Sequence, residues 1–249
     1  MAAVTVQFLG SGDAFGSGGR FQACVLVRTD AGSFLLDCGA SSLIAMRRFD
    51  VDPNDIDTVL VSHLHGDHFG GLPFFILDAQ LISRRTKPLV IAGPPGIEAR
   101  VREAMEVFFA SSSRTEQRFA IEFLELPQRS PTEIASIEVT PYPVVHASGA
   151  TTPYALRVDC DGKVIAYSGD TEWTDALLDV ARYADLFICE AYFFDKQVKF
   201  HLDYASLRAH RDQLTCRRLV LTHMSADMLA HVEAIDAEPA HDGMVITLS

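Results

Sequence analysis

The chain contains no run of about 18 consecutive apolar residues, so a membrane-spanning helix is not expected. It also has no internal repeat, no low-complexity tract and no linker that would divide it. Basic residues are few, with 21 Lys and Arg against 33 Asp and Glu, for a formal net charge of −12. That balance disfavours a nucleic-acid partner, because such affinity rests on Lys and Arg neutralising phosphates. The two modest basic clusters, Arg84-Arg85-Thr86-Lys87 and Arg208 to Arg218, read as a solvated rim. The five cysteines are scattered, odd in number and without zinc-finger spacing, which excludes a disulfide framework and points to buried thiols. The start, Met1-Ala-Ala-Val-Thr-Val, lacks the basic stretch and apolar core of a leader, so the expected location is the cytoplasm.

What is present suffices for a sizeable core: 249 residues, 48% hydrophobic and 22% charged, are expected to form one α/β domain over residues 1–249. Strand-like runs at Val4–Leu9, Gln22–Val27 and Ser33–Gly39 precede a helix predicted over Ser41 to Arg48 and a turn at Asp52–Asp55. A buried helix is predicted from Gly70 to about Ile82, and a second helix places Ile97, Val101, Met105 and Phe108 on one apolar face. A hairpin turns about Asp161-Gly162, a helix spans Trp173 to Ala181, and Asp203 caps a helix running to about Leu214. The glycine-rich loop after Leu9 lacks a Walker lysine and leads into a strand, so it is a poor nucleotide cradle.

The chemistry concentrates in Val59-Leu-Val-Ser-His63-Leu-His65-Gly-Asp67-His68, three imidazoles and a carboxylate directly after an apolar run. If extended geometry continues to His65, then His63 and His65 project to one side and can grip one ion. Gly66 would let the chain turn so that Asp67 and His68 face a second position. Imidazole nitrogen and carboxylate oxygen suit Zn²⁺ at about 2.0 to 2.2 Å, with Mn²⁺ or Fe less preferred. Other apolar runs also end in metal-type residues, at His146, Asp170 and His223. Collection of such residues at strand ends is where α/β architectures place their sites. His210, His231 and His241 carry no ligand motif and read as surface residues.

His63-Leu-His65-Gly-Asp67-His68 resembles the H-x-H-x-D-H signature of the metallo-β-lactamase fold superfamily. The resemblance implies an αββα four-layer sandwich, two mixed β-sheets flanked by helices. It also implies a pair of metal ions, with His63, His65 and His146 on the first, Asp67, His68 and His223 on the second, and Asp170 bridging. His65 stands where the flavodiiron oxidoreductases have Glu, so hydrolysis is implied rather than oxygen reduction. Two cations about 3.5 to 4 Å apart would convert a bridging water to a hydroxide nucleophile and stabilise the leaving oxyanion, with Asp67 able to accept a proton. By the same resemblance, Asp37 supports the metal loop from behind.

Phe8-Leu-Gly-Ser-Gly-Asp-Ala, Gly93-Pro-Pro-Gly96, Asp242-Gly-Met244 and the pairing of Glu190 with His201 resemble the tRNase Z branch. The pairing implies His201 as general acid, oriented by Glu190. Three departures bear on the substrate. No long arm fits between Phe109 and His146, Asp203 replaces the threonine of the H-x-T element, and Ser225-Ala-Asp replaces Ser-Arg-Tyr. With the acidic balance, these favour a small phosphodiester of the cyclic nucleotide or cyclic phosphate type over RNA. The alternatives are a hydrolase of a thioester, lactone or β-lactam, a tRNA 3′ processing endoribonuclease, and a metal-bound binding protein of little activity. The resemblance is compatible with a homodimer.

Overall fold

The computed structural model describes residues 3–147 and 149–249. Met1 and Ala2, which open the start expected to lack a leader, lie outside the described residues, as does Ser148. Among the described residues, the first sheet is built from Val4–Gly10 (β1), Cys24–Thr29 (β2), Gly32–Leu36 (β3), Thr58–Leu60 (β4), Leu89–Gly93 (β5) and Ile121–Glu125 (β6). The second holds Thr132–Ile134 (β7), Ile137–Pro143 (β8), Tyr154–Cys160 (β9), Lys163–Tyr167 (β10), Leu186–Glu190 (β11), Leu219–Thr222 (β12) and Glu238–Pro239 (β13). Val245–Leu248 (β14) then returns to the first sheet beside β1. The spatial orders are β14-β1-β2-β3-β4-β5-β6 and β13-β12-β11-β10-β9-β8-β7. In each sheet three antiparallel pairings are followed by three parallel ones, so both sheets are mixed.

Side-chain alternation separates the layers. Val4, Val6, Phe8, Phe34 and Leu36 meet Leu156, Val158, Leu186 and Ile188 between the two sheets. The opposite side of the first sheet, including Leu35 and Val59, packs on the helices Ser42–Arg48 (α1), Leu72–Leu81 (α3) and Ile97–Phe108 (α4). The outer side of the second, including Ala155, Phe187 and Cys189, packs on Ala176–Val180 (α5), Tyr204–Ala209 (α6) and Ala226–Leu229 (α7). A two-residue period turned alternately to sheet and to helix is what a four-layer sandwich demands of each strand. The turn at Asp161 and Gly162 has positive φ at both positions, 46° and 72°, as the hairpin requires.

Several expectations need correction. The strand before the metal loop ends at Leu60, so His63 lies beyond it, and His65, with extended backbone, is the N-cap of Gly66–Phe69 (α2). Gly66 is helical and open, since a Cβ there would meet nothing within 4 Å, so the turn does not need its freedom. Close approach constrains Gly39 instead, whose Cβ would lie 2.2 Å from the Asp67 carbonyl oxygen. The helices predicted over Trp173–Ala181 and to Leu214 are shorter, α5 covering Ala176–Val180 and α6 stopping at Ala209 before a 3₁₀ turn at Arg211–Gln213. Phe108, expected on the buried face, is half exposed, with its ring tilted against Phe74. Arg85, expected on a solvated rim, is buried, and its guanidinium donates to the carbonyls of Lys87 and Pro88.

All five cysteines are free and buried. Burial pushes the Cys24 thiol up to about 12 and Cys38 and Cys189 well above the usual thiol range. The native protein should therefore show no fast reaction with a disulfide reagent at pH 8, and five thiols should titrate after denaturation; a rapidly reacting native thiol would contradict this packing.

Candidate metal centre

The site forms where strands of both sheets end. Co-directional β3, β4, β8, β10, β11 and β12 deliver Asp37, His63, His146, Asp170, Glu190 and His223 at or just past their C-terminal residues. The short α2 supplies Asp67 and His68, with His65 as its N-cap.

Asp37 sits at the root of this arrangement. It is fully buried with φ of 61°, and its Oδ1 accepts the Ser62 N–H at 2.7 Å. Its Oδ2 accepts the Ser62 hydroxyl at 2.8 Å and the Tyr167 hydroxyl at 2.7 Å, and lies 2.6 Å from His68 Nδ1. A carboxylate in that position holds a proton on His68 Nδ1, so that Nε2 is the nitrogen available to a cation. Since the Ser62 hydroxyl spends its hydrogen on Asp37, its oxygen accepts from His63 Nδ1 at 3.1 Å, and His63 Nε2 is likewise free. Burial, followed by Asp37, keeps the Tyr167 phenol well above its usual range, so it remains a donor.

The freed nitrogens converge. Ligand-type atoms of His63, His65 and His146 lie within 4.8 Å of one another, and so do those of Asp67, His68, Asp170 and His223. Asp170 reaches both groups. Its Oδ2 is 3.8 Å from His63 Nε2, 3.8 Å from His146 Nε2 and 3.3 Å from His223 Nε2, while its Oδ1 is 3.2 Å from His68 Nε2. His63 Nε2, His68 Nε2 and Asp170 Oδ1 are buried polar atoms without a hydrogen-bond partner, an arrangement that is costly unless a cation satisfies them. Nitrogens and carboxylate oxygens in two adjoining groups fit a pair of borderline divalent cations.

Burial works against the His68 imidazolium, yet Asp170, Asp67 and Asp37 raise it well above the usual histidine range, so a cation held there would take the place of a proton; the other groups agree with the donor set as they stand. Burial holds the His63 imidazole well below its usual range, and burial lowers His146 to about 4, so both stay neutral donors near pH 7. Burial alone would raise the Asp170 carboxyl, but the facing His223, His68 and His63 outweigh it and hold it well below the carboxylate range. Asp67 follows the same logic, with His68 overcoming burial to bring it to about 2.

Beside the centre, Glu190 Oε2 lies 3.0 Å from His201 Nδ1 and its Oε1 accepts the Thr171 N–H. Burial and the charge of Asp170 raise Glu190, while its bond to His201 and the His201 charge oppose that shift and favour the carboxylate as the acceptor of the pair. Burial works against the His201 imidazolium, yet its bond and charge contact with Glu190 raise it above the usual value. Tyr192 stacks on His201 with ring centroids 4.6 Å apart. A cavity of about 570 Å³ opens next to the centre between Leu64, His65, Gly96, Arg100 and Gly149.

The structure thus brings His63, His65, Asp67, His68, His146, Asp170, His223, Glu190 and His201 together. Sequence reasoning missed Ser62, Tyr167 and Tyr192, which adjoin strand ends but belong to no metal motif. The three other histidines are not uniformly bare surface: His210 stacks on Trp173 at 3.9 Å and His231 on Phe194 at 4.4 Å, the first half-buried, while His241 is exposed.

Fold and centre together define a metal-dependent hydrolase of the metallo-β-lactamase fold, similar to ribonuclease Z. The chain is 25% identical to Ribonuclease Z of Methanosarcina acetivorans, over 97% of this chain and 94% of the relative. The crystal structure of human tRNase Z, short form, superposes with a TM-score of 0.79 at 26% identity, covering 98% of this chain and 99% of that one. A metallo-beta-lactamase fold protein of Bacillus subtilis, YhfI, shares the fold at 21% identity and a TM-score of 0.76, with 99% and 100% covered. Residues 4–239 match the family described as Anti-Pycsar protein Apyc1, and the chain belongs to that family.

Replacing Asp37 by Ala should weaken zinc binding by about 10- to 100-fold, since it releases the tautomers of His63 and His68. Competition with a chromogenic chelator measures this, and zinc affinity equal to that of the unaltered protein would remove Asp37 from the centre.

Proposed function

We propose that this chain is a dinuclear zinc phosphodiesterase, a single domain acting on a small phosphodiester of the cyclic nucleotide or cyclic phosphate type. The observation that carries the reading is the His201–Glu190 pair beside Asp170, with His201 Nδ1 at 3.0 Å from Glu190 and 4.0 Å from Asp170 Oδ2. His63, His65 and His146 would hold one cation, Asp67, His68 and His223 the other, and Asp170 would bridge them. When bound, the cations supply an activated water and neutralise phosphate oxygens.

The chain's own groups supply the rest. Asp67, held ionised, accepts a proton from the attacking water. As the new P–O bond forms and the ester P–O bond breaks, His201 Nε2–H delivers its proton to the departing alkoxide oxygen. Glu190 keeps the other proton of His201 on Nδ1, so that Nε2 faces the substrate. Solvent then restores the proton, since the His201 side chain is 23% exposed. A carbonyl substrate such as a thioester or lactone would make less use of this pair. The adjoining cavity is of the size small ligands occupy, about 300 to 1,000 Å³.

Processing of tRNA 3′ ends is the second reading, favoured by the Ribonuclease Z relatives. The segment from Phe109 to His146 is, however, taken up by a 3₁₀ turn and by β6, β7 and β8 of the sandwich, which leaves no long arm there. The net charge of −12 also opposes RNA.

With zinc content quantified, the protein should hydrolyse a 3′,5′-cyclic nucleotide, and His63→Ala or chelation should abolish the activity. His201→Ala should slow the cyclic nucleotide about 10²- to 10⁴-fold. It should slow bis(p-nitrophenyl) phosphate far less, because p-nitrophenolate departs without a proton. Equal loss on both substrates would defeat the acid role, and turnover of precursor tRNA alone would establish the second reading.

The pH dependence follows from the same pair. His201 acts while protonated, and its raised value keeps the acid form above the ordinary histidine range. Cyclic nucleotide turnover should therefore persist below that raised value and fall as pH rises through it. Glu190→Gln, which removes the raising charge, should move the falling limb to lower pH; an unmoved limb would assign it to another group.

A further inference from the structure

Glu172 lies two residues after Asp170 and has no part in the centre as assembled, yet it is tied to that centre from two directions. Its Oε1 accepts the backbone N–H of Phe200 at 2.9 Å. Phe200 is a bulky residue with φ of 74°, a conformation that costs free energy in any residue but glycine and persists only where neighbours fix it. The Phe200 carbonyl lies 2.7 Å from His146 Nδ1. Because a carbonyl only accepts, Nδ1 must carry the proton, and the His146 Nε2 lone pair then points at His65 Nδ1, 3.0 Å away. The residue after Phe200 is His201, whose ring stands edge-on to His146 with centroids 4.9 Å apart.

The other end of Glu172 is equally fixed. Its N–H donates to the Val145 carbonyl at 2.9 Å, and its own carbonyl accepts the Thr171 hydroxyl at 2.7 Å. The Thr171 oxygen in turn accepts the Val145 N–H at 3.1 Å. The connections close a ring: Val145 to His146 through the chain, His146 to Phe200, Phe200 to Glu172, and Glu172 back to Val145. Around that ring one strained peptide sets both a candidate zinc ligand and the acid beside it.

We propose that Glu172 is a positioning residue that pins Phe200, so that one backbone carbonyl fixes the tautomer and aim of His146 while the following residue sets His201. This rests on the reading of His146 as a zinc ligand and His201 as the acid. The carboxylate touches neither substrate nor ion. It acts through the Phe200 N–H, and any side chain that presents an acceptor at the same reach should substitute for it.

The test uses the full-length protein with Glu172→Ala and Glu172→Gln. Zinc affinity is read by chelator competition, melting temperature in the metal-free state, and kcat and KM on a 3′,5′-cyclic nucleotide at saturating zinc. Glu172→Ala should weaken one of the two zinc equivalents by about 10- to 100-fold. At saturating zinc it should still lower kcat with little change in KM. Glu172→Gln, whose amide oxygen still accepts the Phe200 N–H, should stay within about threefold of the unaltered protein on both readouts, the residual loss reflecting a neutral rather than charge-assisted bond. Unchanged zinc affinity in Glu172→Ala, with only a lower metal-free melting temperature, would overturn the proposal. So would a Gln variant as impaired as the Ala variant. If Glu172→Ala does not fold, Glu172→Asp keeps the charge but falls one methylene short of Phe200 and should lose zinc in the same way; normal affinity there would overturn the proposal. A protein that cleaves no phosphodiester would defeat the proposed reaction, yet the zinc measurement would still decide the role of Glu172.

Discussion

One buried carboxylate, Asp37, carries the geometry on which the centre depends. It leaves the end of β3 in a left-handed conformation, binds Ser62 and His68 of the metal loop and accepts the hydroxyl of Tyr167 from the end of β10 in the other sheet. The two halves of the sandwich are thus joined at the floor of the site by a single side chain. An uncompensated buried charge would be destabilising by several kcal/mol, on the order of 3–5, so the bonds gathered around this one carboxylate are a structural necessity as well as a tuning device. Those partners also decide on which nitrogen His63 and His68 carry their protons.

From that floor upward, the site is a problem of facing lone pairs. Histidine nitrogens and carboxylate oxygens approach one another at 3.3 to 3.9 Å without a hydrogen bond between them, as between His63 Nε2 and Asp170 at 3.8 Å, His223 Nε2 and Asp170 at 3.3 Å, or His223 Nε2 and Asp67 at 3.9 Å. Burial drives His63, His146 and His223 toward neutrality, the surrounding carboxylates hold His68 protonated against burial, and the histidines drive Asp67 and Asp170 toward ionisation, so a cation entering the centre displaces a proton from His68. Glu190 and His201 sit at the margin, where burial raises one group and the neighbouring charge raises the other. The centre therefore sets a proton-bearing pair, Glu190 and His201, at the margin of a ligand-lined interior, the division of labour that ester cleavage calls for.

Much of this is legible in the amino-acid sequence. His63, His65, Asp67 and His68 lie within a few residues of each other, and His146, Asp170 and His223 each close an apolar run, so local pattern and strand-end logic suffice to select them. The near-continuous apolar runs of β3 and β11 likewise announce strands with two covered faces. What escapes such reading is held by backbone atoms or by distance. Glu172 and Phe200 are 28 residues apart and meet through a peptide N–H, which leaves no trace in residue type. Tyr167 reads as the end of an apolar strand, and its hydroxyl acquires meaning only when β10 is set opposite β3. Gly66 misleads in the other direction, a glycine in a loop that the backbone does not need.

The return of β14 to the first sheet has a consequence for biosynthesis. Val4 pairs with Leu248, and Asp242 accepts the N–H and hydroxyl of Ser11 and the N–H of Phe21, contacts spanning more than 200 residues. A nascent chain cannot close its first sheet, nor bring His223 to the centre, until almost all of it has left the ribosome. The partly made chain would expose the edge of β1 throughout elongation, and contacts this non-local form late. Any cation binding at this centre thereby waits for the later strands: shorter chains, however much of the histidine loop they contain, hold no finished site.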